Sequence, residues 1–368
     1  MRLSSDVVVV GGGVMGLLSA LELAQAGRSV VLLERQDAGR ESSWAGGGIV
    51  SPLYPWRYAP AVGALAHWSQ DFYPRFGRQL AEETGIDPQV QVTGLYWLDL
   101  EDRARALEWA AQRHVMLERI GRDSLRHAMP MLGDHFAQAL FQSQVANVRN
   151  PRLLAALCKG LKCQAGVRVF PHAEVSCLEV SPAGWLAKAG ELECETSCVV
   201  LAAGAWSGEL LATLGLHLPV EPVKGQMILY KCEPDYLPAM VLAEGRYAIP
   251  RRDGHVLVGS TLEHAGFDKT PTGEALASLR ASAEKMLPGL VQREIVGHWA
   301  GLRPGSPDGI PFIGEVPELP GLWLNCGHYR NGLVLAPASC ELLKNLMLGE
   351  TPIVDPAPYS PAGRLGAL

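Results

Sequence analysis

Residues 6–16 read Asp6-Val7-Val8-Val9-Val10-Gly11-Gly12-Gly13-Val14-Met15-Gly16. Four consecutive valines have the pattern of a strand buried on both faces of a parallel sheet. They run directly into Gly11, Gly13 and Gly16, which match G-x-G-x-x-G. Beyond them Leu17, Leu18, Leu21 and Ala24 recur at helical spacing, and Gly27 stands where that helix should stop. A second apolar run, Val30-Val31-Leu32-Leu33, ends in Glu34. Together these form a βαβ unit. Gly11 permits the tight turn, and Gly13 lets the backbone approach a pyrophosphate at the positive helix N-terminus. Gly16 permits close packing of helix on strand. Glu34, 18 residues after Gly16, is placed to accept hydrogen bonds from a ribose diol and would repel a 2′-phosphate. The motif implies a dinucleotide, without deciding between a flavin and a nicotinamide.

Composition narrows the classes. With 48% hydrophobic and 19% charged residues, the 368-residue chain is too apolar to be disordered. Its length calls for two domains or one large composite one. A net charge of -6 argues against a nucleic-acid partner and an anionic membrane surface. No apolar run is long enough for a transmembrane helix, and no signal peptide is evident, so a cytoplasmic protein is expected. The eight cysteines contain no CxxC pair, and no histidine has zinc-finger spacing; reduced thiols and no metal are expected.

Further along, helices are expected at 60–84, 101–120, 151–164, 272–287 and from about 333 to 348. Residues 89–100 read as one strand bent at Gly94. Segments 167–180, 184–189 and 198–204 read as further strands, as do 223–230, 247–250, 256–259, 291–302 and 322–325. Arg252-Asp253-Gly254 is a hairpin signal. The Pro-rich tail 351–368 is either an ordered arm or a frayed end. α/β pattern at the start, middle and end is interleaved with antiparallel pattern at 89–100 and 221–303. This predicts two intertwined domains.

Several stretches resemble one family. The segment from Glu34-Arg35 through Ser42-Ser43-Trp44-Ala45-Gly46-Gly47-Gly48 is similar to the flavin-pyrophosphate loop of the D-amino-acid oxidase family of FAD enzymes. So is Leu201-Ala202-Ala203-Gly204-Ala205-Trp206-Ser207. The segments 299–314 and 327–338, with Pro222-Val223-Lys224-Gly225-Gln226, resemble its glycine oxidase branch, which supplies the thiazole arm of thiamine synthesis. The resemblance covers essentially the whole chain.

It implies a Rossmann-like α/β FAD-binding domain at 1–84, 146–219 and 304–368. This would intertwine with an α+β substrate domain, built on a mainly antiparallel sheet, at 85–145 and 220–303. It implies non-covalent FAD held by Gly11, Gly13, Val14, Met15, Gly16, Glu34 and Arg35. The loop residues Ser42, Ser43, Ala45, Gly46, Gly47 and Gly48 join these, with Val175 on the adenine side. Ala203, Gly204, Trp206, His328, Asn331, Gly332 and Leu333 complete the set. Arg303 would clamp a substrate carboxylate, with Tyr247 as second donor and Arg330 near the substrate amine and flavin edge; Arg303 and Arg330 would also touch FAD. Gly48, Ile49 and Leu262 would line the substrate pocket.

The implied reaction is oxidative deamination of glycine, sarcosine or small D-amino acids. Hydride passes to flavin N5, and O2 reoxidises the flavin to hydrogen peroxide. The resemblance implies a homo-oligomer, such as a tetramer. Gly245 and Arg246 stand where some relatives have a histidine before the tyrosine, so no histidine base is expected there. His298 and His328 are read as packing histidines. The competing readings are a quinone-linked D-amino-acid dehydrogenase and a non-enzymatic FAD-binding subunit; the Arg303/Tyr247 pair argues against the latter.

Overall fold

The computed structural model describes residues 1–368. The valine run is the centre of an eight-stranded sheet. In it Arg2–Val10 lies parallel to both Val30–Leu33 and Leu192–Leu201. Val167–Phe170 and Leu322–Cys326 extend the parallel part on either side. Phe312–Glu315 closes one edge antiparallel, and the hairpin Cys177–Ser181/Gly184–Ala189 folds back onto Leu192–Leu201. Val8, Val9, Val31 and Leu32 are fully buried, as a sheet covered on both faces requires.

One face is covered by the helices Val14–Gln25, Pro60–Thr84, Asn150–Cys163 and Gly332–Leu348. Pro60–Thr84 starts with proline at its first position and stops at Gly85 in the left-handed conformation. Its buried residues Val62, Leu65, Ser69, Tyr73, Phe76 and Leu80 keep helical period. Each large apolar member contributes roughly 1.5–3 kcal/mol by burial. In Gly332–Leu348 an internal Pro337 has no N–H to offer the Leu333 carbonyl four residues back. The Tyr73 hydroxyl donates to that carbonyl instead, at 2.5 Å. The first turn of this helix is thereby fixed.

The second eight-stranded sheet runs Ile295–Gly305, Glu221–Tyr230, Val256–Gly259, Arg246–Pro250, Met240–Ala243, Leu95–Leu98, Gln138–Gln142, Glu118–Gly121. All its pairs are antiparallel except Met240–Ala243 with Leu95–Leu98. The observed α/β architecture with a mainly antiparallel second sheet is the one expected. We propose the domain division given above, noting that its boundary at 303/304 falls inside Ile295–Gly305.

Local expectations need correction in several places. The strand read over 167–180 is two, Val167–Phe170 and Cys177–Ser181. The one read over 291–302 starts at Ile295, after the helical turn Pro288–Gln292. Met240–Ala243 is a strand that was not expected. The helix read over 101–120 ends at Gln112, and Glu118–Gly121 is an exposed edge strand. The single strand read over 89–100 is two, because Gly94 at φ +73° breaks it. Gln91–Val92 pairs with Ala146–Asn147, whereas Leu95–Leu98 joins the large sheet. The tail is an ordered arm: Gly366–Ala367 pairs with Leu216–His217.

Candidate active site

A cavity of about 400 Å³ opens at the carboxyl ends of the parallel strands, reached by Val10, Leu33, Ala202 and Cys326. This is where open α/β sheets bind ligands. Gly11 has φ +105°, and a side chain there would meet the Ala202 carbonyl oxygen at 2.5 Å. Gly13 precedes the helix Val14–Gln25 without a side-chain cap, and Ser43 Oγ accepts from the Val14 N–H at 3.0 Å. The Glu34 carboxylate accepts from the Gly12 N–H at 2.6 Å and the Gln36 N–H at 2.9 Å. It is thus held at the cavity wall. Arg35 lies 3.6 Å over the Trp206 ring and donates to Glu41 at 3.0 Å.

The small-residue loop is clamped from behind. Asn150 Nδ2 donates to the Ser43 carbonyl at 2.8 Å. Arg251 donates to the Gly47 carbonyl at 2.7 Å and the Val148 carbonyl at 3.0 Å. Burial pushes the Arg251 guanidinium down to about 10. The loop therefore holds its shape with its inner face open to a ligand.

At the other end stands Arg303. Its Nη2 donates to Ser260 Oγ at 2.6 Å, and its Nη1 to the carbonyls of Thr261 at 3.2 Å and Lys224 at 3.4 Å. All three partners are neutral. Burial holds the guanidinium below its ordinary pKa, and no carboxylate opposes that shift. A half-buried cation without a counter-ion is partly desolvated, and a ligand anion would offset that cost. Gly225 makes room for it, since a Cβ there would overlap the guanidinium. Tyr247, on a strand separated from that of Arg303 by two others, rests its hydroxyl on Met227 Sδ at 3.4 Å, a weak acceptor. Arg330 lies in the short turn Tyr329–Asn331 that leads into Gly332–Leu348. Its charge faces the phenols of Tyr54 and Tyr58, whose pKa burial raises.

Comparison with known proteins decides the class. The FAD dependent oxidoreductase (DAO) family matches residues 6–346. The chain belongs to this family. It is similar to the glycine oxidase of Pseudomonas aeruginosa, 61% identical over 371 residues, covering 99% of this chain and all of that one. The glycine oxidase of Pseudomonas putida is 60% identical, with 99% and 100% coverage. The crystal structure of glycine oxidase from Geobacillus kaustophilus superposes with TM-score 0.94 at 29% identity, covering 99% of this chain and 100% of that one.

The FAD family's cofactor suits the site. Two helices, Val14–Gln25 and Gly332–Leu348, open onto the cavity with no side-chain bond from the N-cap residue, and apart from the Val14 N–H, which Ser43 takes, their first N–H groups bring partial positive charge to it. Glu34 presents its carboxylate at the cavity wall. Asn150 Oδ1 is buried at the cavity wall with no partner.

The structure brings nearly every expected residue to this one cavity. Those from Gly11 to Glu34 and Arg35, the loop from Ser42 to Ile49, Val175, Ala203, Gly204, Trp206, Tyr247, Arg303, and His328 to Leu333 all line it. Two do not. Gly16 stands behind the wall, where a Cβ would overlap the Gly11 carbonyl; it acts through packing. Leu262 is 48% exposed, because Ser260 and Thr261 turn inward and leave it outside. Sequence reasoning missed Ser260, Met227, Asn150 and Arg251. Only Arg251 had a visible signal, a charge ending the apolar run Tyr247–Pro250. The histidines are occupied. His328 is buried against Ser339 Oγ at 3.0 Å, with its ring pushed down to about 3. His298 meets Gln226 Oε1 at 3.0 Å.

Proposed function

We propose that this flavoenzyme oxidises glycine and similarly small amines, sarcosine and small D-amino acids among them. The products are the 2-oxo acid, the released amine (ammonia from glycine) and hydrogen peroxide. The observation that carries the reading is the half-buried Arg303 guanidinium, without an acidic partner, in the cavity that Tyr247 and the flavin loop also line. A substrate carboxylate supplies the missing counter-ion, and an Arg fork fixes its orientation as well as its charge. Tyr247 replaces its weak bond to Met227 sulfur by donating to that carboxylate. Arg330 and the opening turn of Gly332–Leu348 set a positive potential across the cavity. This favours the uncharged amine, the form that can give up hydride.

Bound FAD supplies the redox chemistry, accepting hydride from the substrate Cα and passing electrons to O2. We assign no side-chain base to this step: the ring of His328, held neutral by burial, is engaged with Ser339 Oγ. We assign the FAD contacts to the lining residues named above and the thiamine-related role to the same reading. The eight free thiols support the expected reducing, cytoplasmic setting, and no helix is long and apolar enough to cross a membrane.

Incubating the yellow holoenzyme with glycine in air tests this. Glyoxylate, ammonia and peroxide should appear in equal amounts. Dye reduction by glycine without peroxide would instead favour the quinone-linked dehydrogenase.

A further inference from the structure

We propose that Ser260 is a substrate-binding residue whose hydroxyl donates to the substrate carboxylate while it holds Arg303. The inference rests on the carboxylate reading of Arg303. Ser260 follows the strand Val256–Gly259, is 9% exposed and lines the cavity. A guanidinium has no lone pair to offer, so at 2.6 Å from Nη2 the Ser260 oxygen is the acceptor. Its own O–H then remains free, and no protein acceptor takes it.

The backbone that carries the hydroxyl is fixed from both sides. Arg246 Nη1 donates to the Ser260 carbonyl. Next along the chain, Thr261 Oγ1 accepts from the Gln226 N–H at 2.8 Å and bonds to Glu263. The Ser260 backbone is therefore held independently of any ligand, and its Oγ is tied to Arg303 Nη2.

A count of donors shows where the carboxylate docks. Both Nη1 hydrogens go to backbone carbonyls, of Thr261 and Lys224. One Nη2 hydrogen goes to Ser260. With Ser260 taking the Nη2 hydrogen that faces Nη1, Nε–H and the second Nη2–H remain as the side edge of the fork. A carboxylate bound bidentately there lies beside Nη2, and Ser260 Oγ is bonded to that same nitrogen. The free serine O–H is within a rotation of the nearer carboxylate oxygen. With Tyr247, four donors then meet the lone-pair sites of one carboxylate.

The test separates direct donation from an effect through Arg303. Each form is followed as kcat/KM for glycine, from the slope of peroxide formation, which needs no saturation. Acetate binding is read in parallel from the flavin absorption of the holoenzyme. Ser260→Ala should lower kcat/KM and weaken acetate binding about tenfold, with kcat changed less. Ser260→Thr, which keeps a hydroxyl, should recover most of the loss. In an Arg303→Lys background, Ser260→Ala should still cost severalfold. A cost that vanishes there would mean that serine acts only through the guanidinium, and donation would be overturned. Full activity in Ser260→Ala would overturn both roles. A wild-type enzyme indifferent to glycine and acetate would instead sink the carboxylate reading itself.

Discussion

Replacing Arg303 by alanine examines the centre of the argument. Two guanidinium N–H groups are free for a substrate, since three neutral acceptors take the others. A hydrogen bond to a charged group contributes about 1.5–3 kcal/mol. Water entering the vacated space recovers part of that, leaving a net loss of about 2–4 kcal/mol, or ~30–1000-fold in kcat/KM. The loss should fall mainly on KM, because the carboxylate contact forms on binding. The fold should tolerate the change. A desolvated cation with no acidic partner stabilises little by itself, and water can serve the three acceptors it leaves. Initial peroxide rates against glycine, at saturating FAD, measure the first effect, and thermal melts of the holoenzyme measure the second. Unchanged glycine kinetics would refute the assignment. A variant that loses flavin and melts more than about 10 °C lower would show that Arg303 holds the fold rather than the substrate.

Other expectations follow from the same geometry. Gly225→Ala puts a Cβ where the Arg303 guanidinium lies, so kcat/KM for glycine should fall at least as far as in Arg303→Ala while the protein stays yellow; a rate near wild type would contradict the packing. Glu34→Ala removes an acceptor from the Gly12 and Gln36 N–H groups, and FAD affinity measured by fluorescence should fall about 10–100-fold. His328 titrates near 3 in the fold and about 6.5 unfolded, so the unfolded chain binds the extra proton between those values. Its stabilisation is whole above pH 6.5 and falls by about 1.4 kcal/mol per unit below it; urea midpoints of His328→Asn at pH 7.5 and 5, at fixed FAD, should show a flatter acid limb than wild type. Glu22 has the opposite sign, raised from 4.5 to about 7 by burial and by Glu341, so its contribution is whole below pH 4.5 and lost as pH rises through 7. Glu22→Gln should gain about 1–3 kcal/mol over wild type at pH 8 and nothing at pH 4.5; equal gains at both would refute the titration.

The parts legible in sequence were those written in local pattern. The valine run, the spaced glycines and Glu34 carry the dinucleotide half, because turn, packing and charge each leave a residue-type signature. Pro60 and Gly85 delimit a 25-residue helix in the same way. Glu118–Gly121 was hidden because an exposed edge strand has no apolar alternation to show. Met240–Ala243 is buried on both faces and short, so it has no period. Ser260 was invisible for another reason. Its role depends on which neutral atoms surround Arg303, and two of those are backbone carbonyls of residues whose side chains say nothing about them. Leu262 misled because its likeness to a pocket position takes no account of the inward turn at Ser260 and Thr261.

The substrate end depends on strand register more than on any single side chain. Arg303 and Tyr247 sit on strands separated by two others, so the span between them is set by a spacing of about 4.8 Å per strand. What lies between must be nearly empty. Gly225 is paired with Gly301, and Gly259 lies opposite both Met227 and Tyr247. Any side chain at Gly225 would displace the guanidinium, and one at Gly259 would run into the Met227 sulfur and the Tyr247 ring. A one-residue slip between Glu221–Tyr230 and Ile295–Gly305 would turn Arg303 to the opposite face of its sheet. The long register from Glu221↔Gly305 to Met227↔Trp299 guards against that slip. The proposed clamp is therefore preorganised by backbone pairing laid down before any ligand arrives. Binding energy from a molecule as small as glycine can then go to orienting Cα rather than to ordering the site.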